Sequence, residues 1–284
     1  MCAMEYETLY NGEKVPRLWF GTWKMGGGMS PETSQDKMVT ATIQAAIDMG
    51  YTHIDTAEMY GGGHTEELIG QAIREYPREK VFIATKVWDS HLRYPDVIRA
   101  CEGSLRRLGV DYLDMYLTHW PNPEIPVEET FQAFNELVEQ GKVRHLGISN
   151  STLSLLKKAQ TLTNIPIATD QVPYSLRTRK YVLNGVLEYC QNHNILLTAY
   201  SPIERGSVLD DPQVRHVAQK YGATPAQIAL AWLIRQPGVI AVPMSMNLDH
   251  LKSNLEAFDI QLFPDDVERL NAIELPEGSI WPQA

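Results

Sequence analysis

Short apolar runs alternate along the chain with longer amphipathic ones, repeating at roughly 30 residues, the length of one strand–helix unit. Eight runs read as strands: Leu18–Trp23, His53–Asp55, Val81–Lys86, Asp114–Thr118, His145–Ser149, Thr169–Gln171, Leu196–Ser201 and Ile240–Pro243. Between them, apolar residues recur at helical spacing over Met38–Met49, Val97–Leu108, Val127–Gln140, Thr152–Thr161, Arg179–Asn192, Thr224–Gln236 and Leu248–Phe258. A further helical piece, Pro212–Tyr221, lies in the long segment after Ser201. Gly50, Gly109 and Gly141 close the first three helices, as a left-handed stop residue does, and Thr224-Pro225 opens another as N-cap and first helical position. Ahead of all this, Asn11-Gly12 between Thr8-Leu9-Tyr10 and Glu13-Lys14-Val15 predicts a hairpin with a two-residue turn.

Strands with continuous apolar runs, each followed by a helix, predict a parallel sheet covered by helices. Eight of them suit a closed (β/α)8 TIM barrel better than an open sheet, and 284 residues suit one such domain, 1–284. The hairpin would plug the N-terminal end of the barrel, and a short C-terminal tail would follow the last helix. No linker or low-complexity stretch divides the chain.

Charge narrows the partners. With 25 Lys+Arg against 35 Asp+Glu, the net charge is −10 and no basic stripe is present, which argues against nucleic acid. Cys2, Cys101 and Cys190 are few and lie far apart, as expected in a reducing compartment. The first residues lack the apolar core of a secretory signal. The longest apolar run, Ile228–Ile234, is too short to span a bilayer. A cytoplasmic protein with no membrane partner is expected.

The candidate chemistry sits where each strand ends: Asp55, Lys86, His119, Ser149 with Asn150, Gln171, and Tyr200 with Ser201, followed by Ser245 just past the last strand. In a (β/α)8 barrel these positions converge on the mouth where such enzymes act. Asp55 and Lys86 follow runs too apolar for a solvent face, so each needs a partner; an isolated pair of this kind is more often a structural salt bridge. Tyr60, five residues past Asp55, and His119 change that balance. A phenol ionises near pH 10, and a neighbouring ammonium lowers that value toward use as a proton donor. Alone, Tyr60 would be a loop aromatic and His119 a hydrogen-bonded core histidine. No histidine has metal-ligand spacing, so no metal is expected. Ser149, Asn150 and Gln171 together offer partners for a flat primary amide, and Tyr200 a face for a ring; Ser149 or Asn150 could equally cap the helix near Thr152. Neither Gly-x-Gly-x-x-Gly nor a P-loop is present. The turn Met244–Asn247 before the helix at Leu248 is a ready anion site or an ordinary N-cap.

These residues, in order, resemble the aldo-keto reductases from end to end. The likeness rests on the hairpin with Val15-Pro16, Gly21-Thr22-Trp23, Asp55-Thr56-Ala57-Glu58-Met59-Tyr60 and Thr85-Lys86-Val87-Trp88. It continues through Leu113–Pro121, Gly147-Ile148-Ser149-Asn150, Gln171, Tyr200-Ser201-Pro202 and Val242-Pro243. Small prokaryotic aldehyde reductases and diketogluconate reductases are the members it resembles. The resemblance implies a tetrad of Asp55, Tyr60, Lys86 and His119, with Tyr60 as general acid, Lys86 lowering its pKa, Asp55 holding Lys86, and His119 orienting the carbonyl oxygen. It implies a cofactor, NADPH, bound by Gly21, Thr22, Trp23, Asp55, Ser149, Asn150, Gln171, Tyr200, Ser201, Pro202, Ser245, His250 and Asn254. The implied substrate walls are Trp23, Trp88, His119, Trp120 and Trp281.

The pattern departs at the adenosine end, where Met244 and His250 stand in place of the Lys and Arg that many members direct at the 2′-phosphate. Fewer charge-assisted contacts predict NADPH preferred, with weakened discrimination against NADH; Lys252 or Arg205 could contribute. Small aldehydes, 2-oxoaldehydes or sugar-type carbonyls are the expected substrates, handled by a monomer or weak dimer. A second class, a regulatory or structural module that binds dinucleotide with little turnover, is disfavoured by the complete tetrad. A barrel hydrolase or metal lyase lacks its paired carboxylates or multiple histidines.

Overall fold

A computed structural model describes residues 4–275. The chain forms two compact units, one spanning Phe20–Asp170, the other joining the residues before Phe20 to those from Gln171 onward. The latter begins with the hairpin, β1 (Tyr6–Thr8) and β2 (Lys14–Pro16), antiparallel with Tyr6 opposite Pro16. Its turn differs from the two-residue form expected. Leu9 N donates to Glu13 O at 2.8 Å and Gly12 N to Leu9 O at 2.9 Å, with Gly12 at φ +88°. The connection is therefore three residues, Tyr10-Asn11-Gly12, with glycine alone in the left-handed position. Asn11 instead accepts from Glu13 N at 3.0 Å.

In the unit from Phe20 to Asp170, strands and helices alternate without exception: β3 (Phe20–Gly21), α1 (Asp36–Met49), β4 (His53–Asp55), α2 (His64–Ile73), β5 (Phe82–Val87) and α3 (Tyr94–Leu108). Then come β6 (Leu113–Thr118), α4 (Val127–Glu139), β7 (Val143–Ser149) and α5 (Leu153–Leu162). Neighbouring strands run parallel, Phe20 beside Ile54, Ile54 beside Ile83, and Ala84 beside Met115. Every residue of β5 and β6 is buried, which is why their sequences read as runs and not as alternations. The glycine stops at 50 and 109 are left-handed as expected. One helix, α2, escaped the pattern. It starts after three glycines and carries Gly70 in its interior, where a β-carbon would fall 2.6 Å from Leu108 O. Close contact with the end of α3 outweighs the low helix propensity of glycine there.

β8 (Ile167–Pro173) continues the sheet, and the unit that follows holds α6 (Lys180–Leu183), α7 (Val186–Asn192), β9 (Leu196–Tyr200), α8 (Pro212–Tyr221), α9 (Pro225–Ile234), β10 (Val239–Val242), α10 (Leu248–Leu255) and α11 (Pro264–Asn271). Three differences from the sequence pattern fall here. The helix expected over Arg179–Asn192 breaks in two at Gly185, φ +85°. The one over Leu248–Phe258 ends as a tighter turn from Glu256. The tail contains α11, anchored where Asp266 accepts from Lys220 and Tyr221 at 2.7 Å each. The run Ile228–Ile234 is the buried body of α9, opened by Thr224 in a full capping box. Leu18 bridges Ala241 of β10 in parallel, and β3 follows directly. The eight strands β3 to β10 are ordered in the sheet as in the chain, with helices between them: the (β/α)8 barrel class. Glu7 of the hairpin accepts from Gly238 N at 2.9 Å, just before β10, at that strand's N-terminal end as expected of a plug.

Candidate active site

In the unit from Phe20 to Asp170, the neighbouring strands β4 and β5 carry Asp55 and Lys86, 4% and 0% exposed, with Asp55 opposite Ala84 in the register. Lys86 Nζ donates to Asp55 Oδ2 at 2.8 Å and to Thr56 O at 2.7 Å. Burial lowers the ammonium's pKa, opposed by the Asp55 and Glu66 carboxylates. A buried lysine held this way keeps a fixed position, because two of its three protons are committed.

Tyr60 follows β4 through Thr56–Met59 and opens a tight turn over Tyr60–Gly63. Gly61, Gly62 and Gly63 have φ of +60°, +62° and +99°, a path that side-chain-bearing residues rarely take. The turn holds the phenol ring with Lys86 Nζ 5.3 Å from its centroid. Trp23 lies edge-on to it at 4.8 Å and His119 at 5.7 Å. Trp88 in turn packs edge-on against His119 at 5.1 Å. Asp55, Tyr60, Lys86 and His119 thus come together, with Trp23 and Trp88 beside them. Trp120, the next residue after His119, is half-buried.

His119 N donates to Val87 O at 2.9 Å and its carbonyl accepts from Asn150 Nδ2 at 2.9 Å, so the backbone is pinned on both sides. The side chain is less satisfied: Nδ1 is buried without a hydrogen-bond partner among the described residues. Burial and the Lys86 charge hold the imidazole well below its ordinary pKa, which leaves it neutral. A neutral ring can present one N–H to an oxygen acceptor.

Ser149 and Asn150, each 1% exposed, close β7. Asn150 takes a left-handed φ of +58° and also donates to Ser149 Oγ at 3.3 Å. Neither caps α5; Thr152 does, accepting from Leu155 N at 3.2 Å. A hydroxyl and a carboxamide side by side suit the donor and acceptor of a primary amide, so these residues fit a nicotinamide. Gly21 and Thr22 are buried beside β4, Thr22 Oγ1 donating to Asp55 O at 2.8 Å.

In the other unit, Gln171 is buried in β8 and Tyr200 is half-buried at the end of β9. Ser201 has φ +50°, followed by buried Pro202. Ser245 Oγ accepts from Asn247 N at 3.0 Å, and Asn247 caps α10 by accepting from Asp249 N and His250 N at 2.8 and 3.2 Å. The Met244–Asn247 turn is therefore an N-cap, with part of the helix terminus already occupied. Met244 and His250 are exposed, Asn254 buried. Trp281 lies outside the described residues.

Sequence reasoning missed two carboxylates. Glu58 accepts from Trp88 N at 2.6 Å and from the imidazole of His91 at 3.0 Å, tying the loop after β4 to the loop after β5. Glu66 is fully buried behind Lys86, bonded to Thr85 and Arg107. A glutamate inside an apolar helical face was the available signal for Glu66.

The site thus joins a lysine-held carboxylate, a phenol and a neutral imidazole, groups that can give or take a proton. Residues 17–275 match the model of the Aldo/keto reductase family. Methylglyoxal reductase YeaE of Escherichia coli is 36% identical, over 93% of either chain. The thermostable aldo-keto reductase Tm1743, solved with the inhibitor epalrestat, superposes with a TM-score of 0.93 at 46% identity, covering 95% of this chain and 99% of that one. An aldo-keto reductase from Klebsiella pneumoniae in complex with NADPH gives 0.87 at 37%, covering 95% and 94%. This chain belongs to the aldo/keto reductase family and is an NAD(P)H-dependent oxidoreductase. Among the described residues, no helix is long and apolar enough to cross a membrane.

Proposed function

We propose that this protein reduces small aldehydes, 2-oxoaldehydes and sugar-type carbonyls to alcohols with NADPH, Tyr60 supplying the proton. The observation that carries the reading is the Lys86 ammonium, bound to Asp55 at 2.8 Å and 5.3 Å from the Tyr60 ring. Its charge favours the phenolate and so makes the phenol a better acid. His119, neutral, offers an N–H that orients the carbonyl oxygen toward the Tyr60 hydroxyl. As oxygen gains negative charge, Tyr60 gives up its proton, and the Lys86 charge stabilises the phenolate left behind. The nicotinamide, when bound, supplies the hydride to the carbonyl carbon. The family resemblance assigns its carboxamide to Ser149, Asn150 and Gln171, and its ring face to Tyr200. Gly21, Thr22, Trp23, Ser201, Pro202, Ser245, His250 and Asn254 are assigned to the rest of the cofactor by the family resemblance, and Trp23, Trp88 and Trp120 to the substrate walls.

The 2-oxoaldehyde class is supported by relatives named methylglyoxal reductases. NADPH is supported by relatives solved with NADP or NADPH. NADH is accepted with weakened discrimination, because Met244 and His250 bring no full charge to the 2′-phosphate. We take residues 1–284 as one domain acting as a monomer or weak dimer in the cytoplasm; a single calorimetric transition is expected.

The test is a panel of aldehydes, ketones and sugars followed by nicotinamide absorbance with both cofactors. Tyr60→Phe should lose reduction by roughly 10²-fold or more while keeping its affinity for NADPH. Full activity in that variant would remove the proposed proton donor.

A further inference from the structure

Directly behind the tetrad lies an ion pair that the proposed chemistry does not use, its carboxylate buried and its guanidinium partly exposed. Glu66, in the first turn of α2, is 0% exposed. Its Oε1 accepts from Thr85 Oγ1 at 2.6 Å, and Thr85 is the residue before Lys86 in β5. Its Oε2 accepts from Arg107 Nε at 2.7 Å, from the last turn of α3. Arg107 reaches this point between two glycines. A β-carbon at Gly63 would lie 2.8 Å from Arg107 Cδ, and one at Gly103 would lie 3.0 Å from Nη1. Gly63 is also the last residue of the turn that Tyr60 opens. One carboxylate therefore bonds to the strand that carries Lys86, while its guanidinium partner packs against the turn that carries Tyr60.

The charges around it are few. From α3, Glu66 is faced by Arg107, Ser104 and Cys101; from β5, by Thr85 and Lys86; from β6, by the Tyr116 phenol. The Tyr60 ring is faced by Lys86 of β5, by His119 after β6 and by Trp23 after β3. Lys86 feels the Glu66 charge as well as that of Asp55. Arg107 cancels most of the Glu66 charge at longer range, so the pair contributes little net charge while it is intact.

We propose that Glu66 and Arg107 are positioning residues for the Tyr60–Lys86 centre, a charge-balanced pair whose neutrality sets the pH range over which Tyr60 remains a proton donor. This rests on Tyr60 being the acid. Reduction then falls as pH rises through the Tyr60 pKa. Loss of the Glu66 charge leaves the Arg107 cation uncompensated beside the centre, which favours the phenolate and moves that fall to lower pH. Loss of both charges restores the balance.

The experiment compares pH profiles of kcat for carbonyl reduction in the full chain and in Glu66→Gln, Glu66→Met, Glu66→Gln/Arg107→Gln, Thr85→Val and Tyr60→Phe, with melting temperature and NADPH affinity measured for each. Glu66→Gln should move the alkaline limb to lower pH by about half a unit or more. The double variant should return it to within about 0.2 units of the parent, although it has lost one more native side chain. Thr85→Val removes a bond but neither charge and should leave the limb within about 0.2 units of the parent, while Glu66→Met, which removes the same charge as Glu66→Gln, serves as the arm if Glu66→Gln does not fold. Limbs that stay put in Glu66→Gln and Glu66→Met, a limb moved as far in Thr85→Val, or a double variant shifted further than the single, would overturn the proposal. Full activity in Tyr60→Phe would instead defeat the general-acid reading, so the two failures are distinguishable.

Discussion

Gly63 and Arg107 are packed so closely that a β-carbon on Gly63 would lie 2.8 Å from Arg107 Cδ and 2.9 Å from Nε. The glycine also carries φ +99°. Gly63→Ala therefore meets both a backbone penalty and a collision, and should destabilise by about 1–3 kcal/mol. Because the same turn carries Tyr60, kcat should fall with the melting temperature, by about tenfold or more, while NADPH affinity holds. Thermal denaturation and steady-state kinetics read both effects.

Lys86 and Asp55 share a nearly dry environment, so removing one of them differs from removing both. Lys86→Met leaves the Asp55 carboxylate buried without its cation and should cost about 3–5 kcal/mol. Adding Asp55→Asn removes the stranded charge and should recover much of that loss. Activity should not recover in the double variant, since the ammonium beside Tyr60 is gone. Denaturant unfolding alongside turnover separates the stability of the pair from its chemistry.

Stability should fall on the acid side because of His53. Its ring stacks on Phe82 at 4.4 Å, and burial lowers its pKa from 6.5 to about 3. The unfolded chain therefore binds a proton that the folded chain refuses. The stabilisation is full above the unfolded value near 6.5 and is lost progressively as pH falls toward 3. Between pH 7 and pH 5 the loss from this residue is about 2 kcal/mol. His119, also held neutral by burial, adds to the same trend. Unfolding free energies at several pH values should show a shallower slope in His53→Asn.

Cofactor choice should respond to charge at two exposed positions. Met244→Lys with His250→Arg supplies the cations that the turn before α10 lacks. Affinity for NADPH over NADH should rise by about tenfold, roughly 1.4 kcal/mol. Dissociation constants for both cofactors in both proteins decide it.

Much of this architecture was legible because burial writes itself into composition. Asp55 and Lys86 stood out as charges at the ends of runs that tolerate none, and the structure buries both. Eight strands were legible for the same reason, though Leu18–Trp23 shortens to Phe20–Gly21 where the chain changes partners from Ala241 to Ile54 and Asp55. What stayed hidden depends on contacts distant in sequence. Helix α2 reads poorly because Gly70 serves Leu108, a residue on another helix. Glu66 and Arg107 are 41 residues apart, and no local pattern joins them. Asn11-Gly12 misled in a smaller way: the dipeptide favours a two-residue turn, but the pairing of Leu9 with Glu13 lengthens it by one.

The bridge between Leu18 and Ala241 sets a schedule for the newborn chain. Leu18 is synthesised more than 200 residues before its partner Ala241. At roughly 5–20 residues per second, Leu18 waits on the order of ten to forty seconds for that partner.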